Sequence, residues 1–315
     1  MGKNSRPVAD GLHDVIGLDV CISIDVERDC RTDGRFTTRG IKEGLPIFVD
    51  MLRSAGIPFD LMISSEVLDA VPDEILRARR DFVAIGCHGR VHDPGYLSQL
   101  SPAKQRHDLE AATDAIGERT GRRPIHFRAP NFSADGVTIE VLEALGYHKD
   151  SSVLPGRLVR RWGWRTLVDH RGAPIDPYRP DYLSIARPGG SGILEIPITP
   201  NSDVRAAPLG LGFLHTRGPE ATLEAARIVK RQYFVFLAHT WEMVGWEPHE
   251  GVLPWVREAA RRDPGGMEEL VSRLTNSRFV NLDHVVQPVM SSSGRASSLG
   301  RDGQYSAPQF RGVGR

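Results

Sequence analysis

Lysine is the scarcest charge carrier in these 315 residues: 5 Lys stand beside 35 Arg, and the 40 cations meet 40 Asp and Glu at a formal net charge of zero. Without a basic surplus the chain lacks the electrostatic footprint of a general nucleic-acid or anionic-membrane binder. The arginine bias reads as GC-rich codon usage rather than as a phosphate-binding device. Cysteine is rarer still. Cys21, Cys30 and Cys87 are odd in number and lack C-x-x-C spacing, which argues against a disulfide framework and for a reducing compartment. No run of about 18 apolar residues occurs, so no membrane span is expected. The first twenty residues are polar and punctuated by Asp, unlike the apolar region of a signal peptide, and a cytoplasmic location is the expectation. No G-x-G-x-x-G or G-x-x-x-x-G-K-[ST] follows a strand-like run, which leaves nucleotide binding unsupported.

What is present is a globular composition, 40% hydrophobic and 25% charged, with a generous 11 His. Short β-branched runs alternate with amphipathic ones. VCISI (20–24), PFDLMIS (58–64), FVAIG (82–86), IHFRAP (125–130), ILEIPIT (193–199), YFVFLAHT (233–240) and RFVNL (278–282) read as strands. Helical spacing occupies 40–56, the stretch after 64 interrupted by Pro72, 101–121 with Ser101 as N-cap and Gly121 as stop, 138–147, 219–232 and part of 267–276. That alternation predicts an α/β fold with a mainly parallel sheet, better suited to one barrel-like domain than to two doubly wound ones. The domain is placed at 15–287. Residues 155–192 read as a long excursion beside the active face. The last stretch, 288–315, is rich in Ser, Gly and Arg and is expected to be a disordered basic tail.

Chemistry-bearing residues cluster just beyond the strand-like runs, where barrels place their sites. ISIDVERD offers Asp25, Glu27 and Asp29 at alternating positions, AIGCHGRVHDP offers His88 and His92, HFRAPNFS offers Arg128, and FLAHTWE offers His239 with Trp241 and Glu242 behind it. A His pair four apart falls on one face of a helical turn, and two imidazoles with one carboxylate make a catalytic zinc shell with an open position. The acidic residues can divide their labour, one as ligand and one as proton acceptor, with Arg128 a bidentate partner for the second. His239 reads either as a general acid or as a core histidine with a satisfied hydrogen bond.

The ordered series IDVE, HGRVHDP, FRAPNFS, YHKDSSVLPG and LAHTWE, from about Cys21 to Glu242, resembles the NodB-type polysaccharide deacetylase family (carbohydrate esterase family 4). The resemblance implies a distorted (β/α) barrel and metal-dependent removal of N-acetyl groups from sugars. It also implies Asp25 as base, Glu27, His88 and His92 as metal ligands, Arg128 as the arginine orienting the base, and His239 as the proton donor to the leaving nitrogen. Asp150 falls near the fourth motif, whose acid supports that histidine. The metal implied is divalent, zinc first, with cobalt, nickel or iron as alternatives.

Three departures from the family pattern stand out. Glu27 stands where the commonest motif has Asp, leaving Asp29 as a substitute ligand. Asn131 replaces a Tyr whose backbone N–H serves the oxyanion, and Gly89 replaces a hydroxyl residue. The substrate expected is an acetamido sugar or glycan precursor. The alternatives are a small-molecule cyclic amide or ureide, or an inert sugar-binding relative. Trp162, Trp164 and Trp241 are candidate sugar-stacking walls.

Overall fold

The computed structural model describes residues 18–287, apart from 80–81, 93–95, 202, 204–206, 229–232 and 275. The expected tail at 288–315 lies outside the described residues, as do 15–17 of the expected domain.

β1 (Asp19–Val26) sets the frame. Its even-numbered residues Val20, Ile22, Ile24 and Val26 join the core beneath the outer helices, while Cys21 joins a separate inner cluster. The two-residue period therefore turns Ser23 and Asp25 into the barrel. After one π-type turn (Gly40–Gly44), α1 (Leu45–Ser54) returns to β2 (Phe59–Ile63). A 3₁₀ turn and the short α2 (Asp73–Leu76) lead to β3 (Val83–Cys87), and α3 (Pro102–Thr120) leads to β4 (His126–Phe127). The Ser101 hydroxyl accepts from the Lys104 N–H and Gly121 ends α3 at φ 64°, the cap and stop read from the sequence. α4 (Gly136–Ala144) then brings the chain to β5 (Lys149–Asp150).

The excursion holds two antiparallel hairpins, β6 (Leu158–Arg161) with β7 (Arg165–Asp169) and β8 (Pro180–Asp181) with β9 (Ser184–Pro188). The barrel resumes with β10 (Leu194–Glu195), α5 (Leu211–Ile228) and β11 (Tyr233–His239). α6 (Pro254–Ala259) and α7 (Gly265–Arg273) follow, and β12 (Arg278–Phe279) is last. The sheet runs β10-β5-β4-β3-β2-β1-β11, with β12 added at the start of β1, and every pairing in it is parallel. This is the half-open (β/α) barrel that the alternation of elements predicts.

Two local differences bear on the site. The helix read at 219–232 begins at Leu211 and kinks at Gly218 (φ 82°) before Pro219, because Pro cannot continue the preceding turn's hydrogen bonds; residues 229–232 lie outside the described residues. The helix read at 40–56 opens as a π-type turn, because Gly40 and Gly44 press against the turn Thr240–Met243. A Cβ on Gly40 would overlap the Thr240 carbonyl, and one on Gly44 would come 2.6 Å from the Met243 Cβ.

Candidate metal centre and catalytic site

At the C-terminal ends of the strands, β1 delivers Asp25 and then Glu27. The end of β3 delivers His88, the end of β4 Arg128, and the end of β11 His239, whose Cα pairs in register with that of Asp25. Arg128 is fully buried and makes four hydrogen bonds. Its Nη1 donates to Asp25 Oδ1 (2.6 Å) and Ser23 Oγ (2.8 Å), its Nε to the Ser151 carbonyl (3.0 Å) and its Nη2 to Ser151 Oγ (3.0 Å). A buried guanidinium is tolerable only when paired and hydrogen-bonded in this way. The result is that one Asp25 oxygen is fixed and the other, Oδ2, lies 3.9 Å from both His88 Nε2 and His239 Nε2.

Glu27, His88 and His92 form a group whose donor atoms all lie within 4.8 Å of one another. Glu27 Oε2 faces His92 Nε2 at 2.8 Å and His88 Nε2 at 3.3 Å. Two of the three are oriented from behind. His88 Nδ1–H donates to the Arg128 carbonyl (2.9 Å), which turns Nε2 toward Glu27, and the Trp241 indole N–H donates to Glu27 Oε1 (2.8 Å). Burial works to raise the Glu27 carboxyl, but His92 and the hydrogen bonds from both rings hold it well below the usual range. For His92 burial works downward, yet Glu27 outweighs it and the ring is raised. Two imidazoles and a carboxylate, convergent and already deprotonated at the acid, suit a divalent cation.

The helical reading of the His pair is corrected. Residues 88–92 are loop, with Gly89 at φ 76°, a left-handed conformation that favours glycine. The loop is tied to the turn after β2 instead, with Glu66 Oε1 accepting from the His92 N–H at 2.9 Å. Asp29 is not a substitute ligand: its two oxygens accept from the N–H groups of Arg39 (2.7 Å) and Gly40 (2.9 Å), fastening the start of the π-type turn.

The acid that supports the histidine is also corrected. His239 Nδ1 is 3.2 Å from Glu242 Oε2, which accepts from the His239 backbone N–H as well, at 2.7 Å. Burial alone would lower the His239 pKa; Glu242 leads the carboxylates that raise it to about 9. Asp150 instead accepts from Ser152 Oγ and lies beside Glu195 on the neighbouring strand. The H-x-x-E spacing of His239 and Glu242 was the signal for this role, because residues three apart on a tight turn face each other. Ser23, Ser151 and Glu66 carried no such signal.

Trp241 is buried and stacks on His239 with centroids 4.9 Å apart, so it is a support for two site residues rather than an exposed sugar wall. Trp162 and Trp164 are 63% and 74% exposed, stacked on each other at 5.9 Å on the tip of the first hairpin. That hairpin is seated on the site's rim: Ser98 Oγ donates to the Leu167 carbonyl and bonds Ser133 Oγ, while the Arg157 guanidinium lies over Phe132. Asn131 and Phe132, directly after Arg128-Ala129-Pro130, have φ of 56° and 58°, a pair of left-handed residues that costs about 1–3 kcal/mol each. Asn adopts this conformation more readily than Tyr.

A family model for polysaccharide deacetylases matches residues 34–149. The curated relative "Peptidoglycan deacetylase-like protein FGM2" of Gibberella zeae is 36% identical over 69 residues, 22% of this chain and only 20% of that protein's length. Among solved structures, a protein described as a polysaccharide deacetylase from Mycobacterium smegmatis superposes with a TM-score of 0.55 at 16% identity, covering 89% of this chain and 92% of its own. Puue allantoinase gives 0.54 at 13% identity over the same shares, and a protein described as a polysaccharide deacetylase from Pseudomonas aeruginosa PAO1 gives 0.54 at 12%, covering 85% and 89%. At these identities the structures speak for the fold. Residues 34–149 thus match the polysaccharide deacetylase model, and the barrel is the fold of these solved structures.

Proposed function

We propose that this chain is a metal-dependent hydrolase that removes the N-acetyl group from an acetamido sugar or glycan precursor. The observation that carries the reading is the setting of Asp25, with one oxygen locked by Arg128 and the other equidistant, at 3.9 Å, from a ligand-type imidazole and from His239.

Glu27, His88 and His92 would hold the divalent cation, zinc before cobalt, nickel or iron; when bound, it supplies Lewis-acid polarisation of the acetamide carbonyl and a water of lowered pKa. The chain's own residues do the rest. Arg128 keeps Asp25 pointed at the space between the two imidazoles, and Asp25 accepts the proton of the attacking water. The backbone N–H of Asn131, fixed by its left-handed turn, is assigned to the oxyanion. His239, kept cationic near neutral pH by Glu242, donates its Nε2 proton to the departing amine. Glu242 fixes the tautomer by taking Nδ1–H, and Trp241 holds both the Glu27 carboxylate and the His239 ring in plane. The exposed Trp162–Trp164 pair, on a hairpin docked at the rim, is assigned to stacking on a sugar face.

The test is metal analysis of the purified protein followed by acetate-release assays on N-acetylglucosamine oligomers and sugar nucleotides. One equivalent of metal with acetate release is expected. Ammonia or ureide products without acetate would replace this reading with a small-molecule amidohydrolase, and neither metal nor hydrolysis would leave an inert sugar-binding relative.

A further inference from the structure

We propose that Asp150 and Glu195 share a single proton and act as a positioning pair, fixing the Ser151–Val153 segment that holds Arg128 and Ala129 for the reaction. This rests on the deacetylase reading. The two residues are Cα partners at the adjacent ends of β5 and β10, and they are 1% and 0% exposed. One oxygen of each is used. Asp150 Oδ1 accepts from Ser152 Oγ, and Glu195 Oε1 accepts from the Val153 N–H at 2.9 Å. The remaining two, Asp150 Oδ2 and Glu195 Oε2, are buried and have no donor from any other residue described. Two facing carboxylates have only acceptors, so this arrangement is satisfied when one proton lies between them.

The neighbouring side chains supply no alternative donor, although the backbone N–H groups of Ser151 and Ser152 also work to lower the two carboxyls. The cation that acts on Asp150 is Arg128, and four of its five N–H groups go to Asp25, Ser23 and Ser151. Tyr178 packs against the pair from the excursion, but its hydroxyl donates to the Ile185 carbonyl, and its backbone exchanges hydrogen bonds with that of Glu195. Burial raises both carboxyls, Asp150 to about 6 and Glu195 well above the usual range, which makes Glu195 the proton carrier. The pair is wired to the site by three consecutive residues. Ser151 receives Arg128 on its carbonyl and hydroxyl, Ser152 Oγ receives the Ala129 N–H at 2.8 Å while donating to Asp150, and Val153 donates to Glu195. Removing the proton would set two anions against each other at the root of that segment.

The experiment has a spectroscopic arm and a kinetic arm on the full chain. In infrared difference spectra of wild type against Glu195→Gln and against Asp150→Asn near neutral pH, where the protonated fraction of Asp60 cancels, the wild type is expected to show a protonated-carboxyl C=O stretch that both variants lack. Its absence from the wild type, or its persistence in both variants, overturns the shared proton. In acetate release, Glu195→Gln keeps an N–H donor for Asp150 and an oxygen for Val153, and should stay within about threefold of wild type. Glu195→Ala should lose about tenfold or more in kcat with KM little changed, because Arg128 is misplaced rather than substrate binding lost. A folded Glu195→Ala protein with wild-type kcat, or a Glu195→Gln protein as impaired as the alanine variant, overturns the positioning role. If Glu195→Ala does not fold, the glutamine variant and the infrared band decide. Failure of the deacetylase reading itself would look different, with no acetate released by the wild type while the infrared band remains.

Discussion

The two mouths of the barrel are built from the same residue types and arranged to opposite ends. At the N-terminal ends of the strands, Asp60 of β2, His126 of β4 and Lys149 of β5 meet the chain's return through Asn281, Leu282 and Asp283. Asp60 accepts from the Leu282 N–H through both oxygens, His126 Nε2 meets Asp283 Oδ1 at 2.6 Å, and Lys149 Nζ donates to the Leu282 carbonyl, also at 2.6 Å. Apart from His126 Nδ1, which is buried and unpartnered, these charges are answered by a neighbour. At the C-terminal ends, partners are used from behind instead: Trp241 on Glu27, the Arg128 carbonyl on His88, Glu242 on His239. What remains free points inward to one space. The lesson is that titratable residues buried together make a plug when their polar atoms satisfy one another. They make a site when second partners pull them back and leave the inward atoms converging.

The contrast is broken most severely by Asp25→Asn. Turnover should fall by about 10²–10⁴-fold with metal stoichiometry unchanged, measured by acetate release beside metal analysis; undiminished activity would remove Asp25 from the chemistry.

At the opposite mouth, Asp60→Asn should leave kcat untouched and change stability instead. Burial raises Asp60 to about 7 in the fold, so its contribution is fully present only at acid pH and is lost as pH rises toward and through 7. The unfolding free energy of the Asn variant should therefore gain on wild type by about 3 kcal/mol between pH 5 and pH 8, followed by urea titration at each pH. A parallel pH dependence in the two proteins would show that the plug is not ionising as described.

Trp241→Phe keeps the stacking on His239 and deletes only the donor to Glu27. A 10–100-fold loss of zinc affinity by calorimetric titration is the expected outcome, and an unchanged affinity would make the indole N–H dispensable. The smallest effect is expected from Glu242→Gln. Glu242 is the leading carboxylate holding His239 up at about 9, so its neutralisation should move the alkaline limb of kcat/KM to lower pH by about one unit or more. A stationary limb would assign that limb to another group.

Much of this was legible in the residues because strand period and strand ends obey simple rules. Asp25 and Glu27 are two apart on an extended run, so they share a face whatever surrounds them, and β1, β2, β3 and β11 announce themselves by apolar runs. The excursion hid its hairpins because β6, LVRR, buries no side chain fully and so carries no alternation to read. The His88–His92 pair was placed on a helix because four-residue spacing suits one, whereas Gly89 turns the chain left-handed there. Glu195 escaped altogether. Its partner Asp150 is 45 residues away in sequence and becomes a neighbour only when β10 lies beside β5.

The wiring of the candidate site also dictates when it can exist during folding. Arg128 reaches Asp25 across 103 residues of chain and Thr240 reaches the Glu27 carbonyl across 213, so no local segment can preassemble the constellation. Contacts of such sequence separation close late, after the intervening loops have paid their closure entropy. The candidate site is thus a property of the finished fold, and the onset of any turnover during refolding would time the docking of β11 on β1.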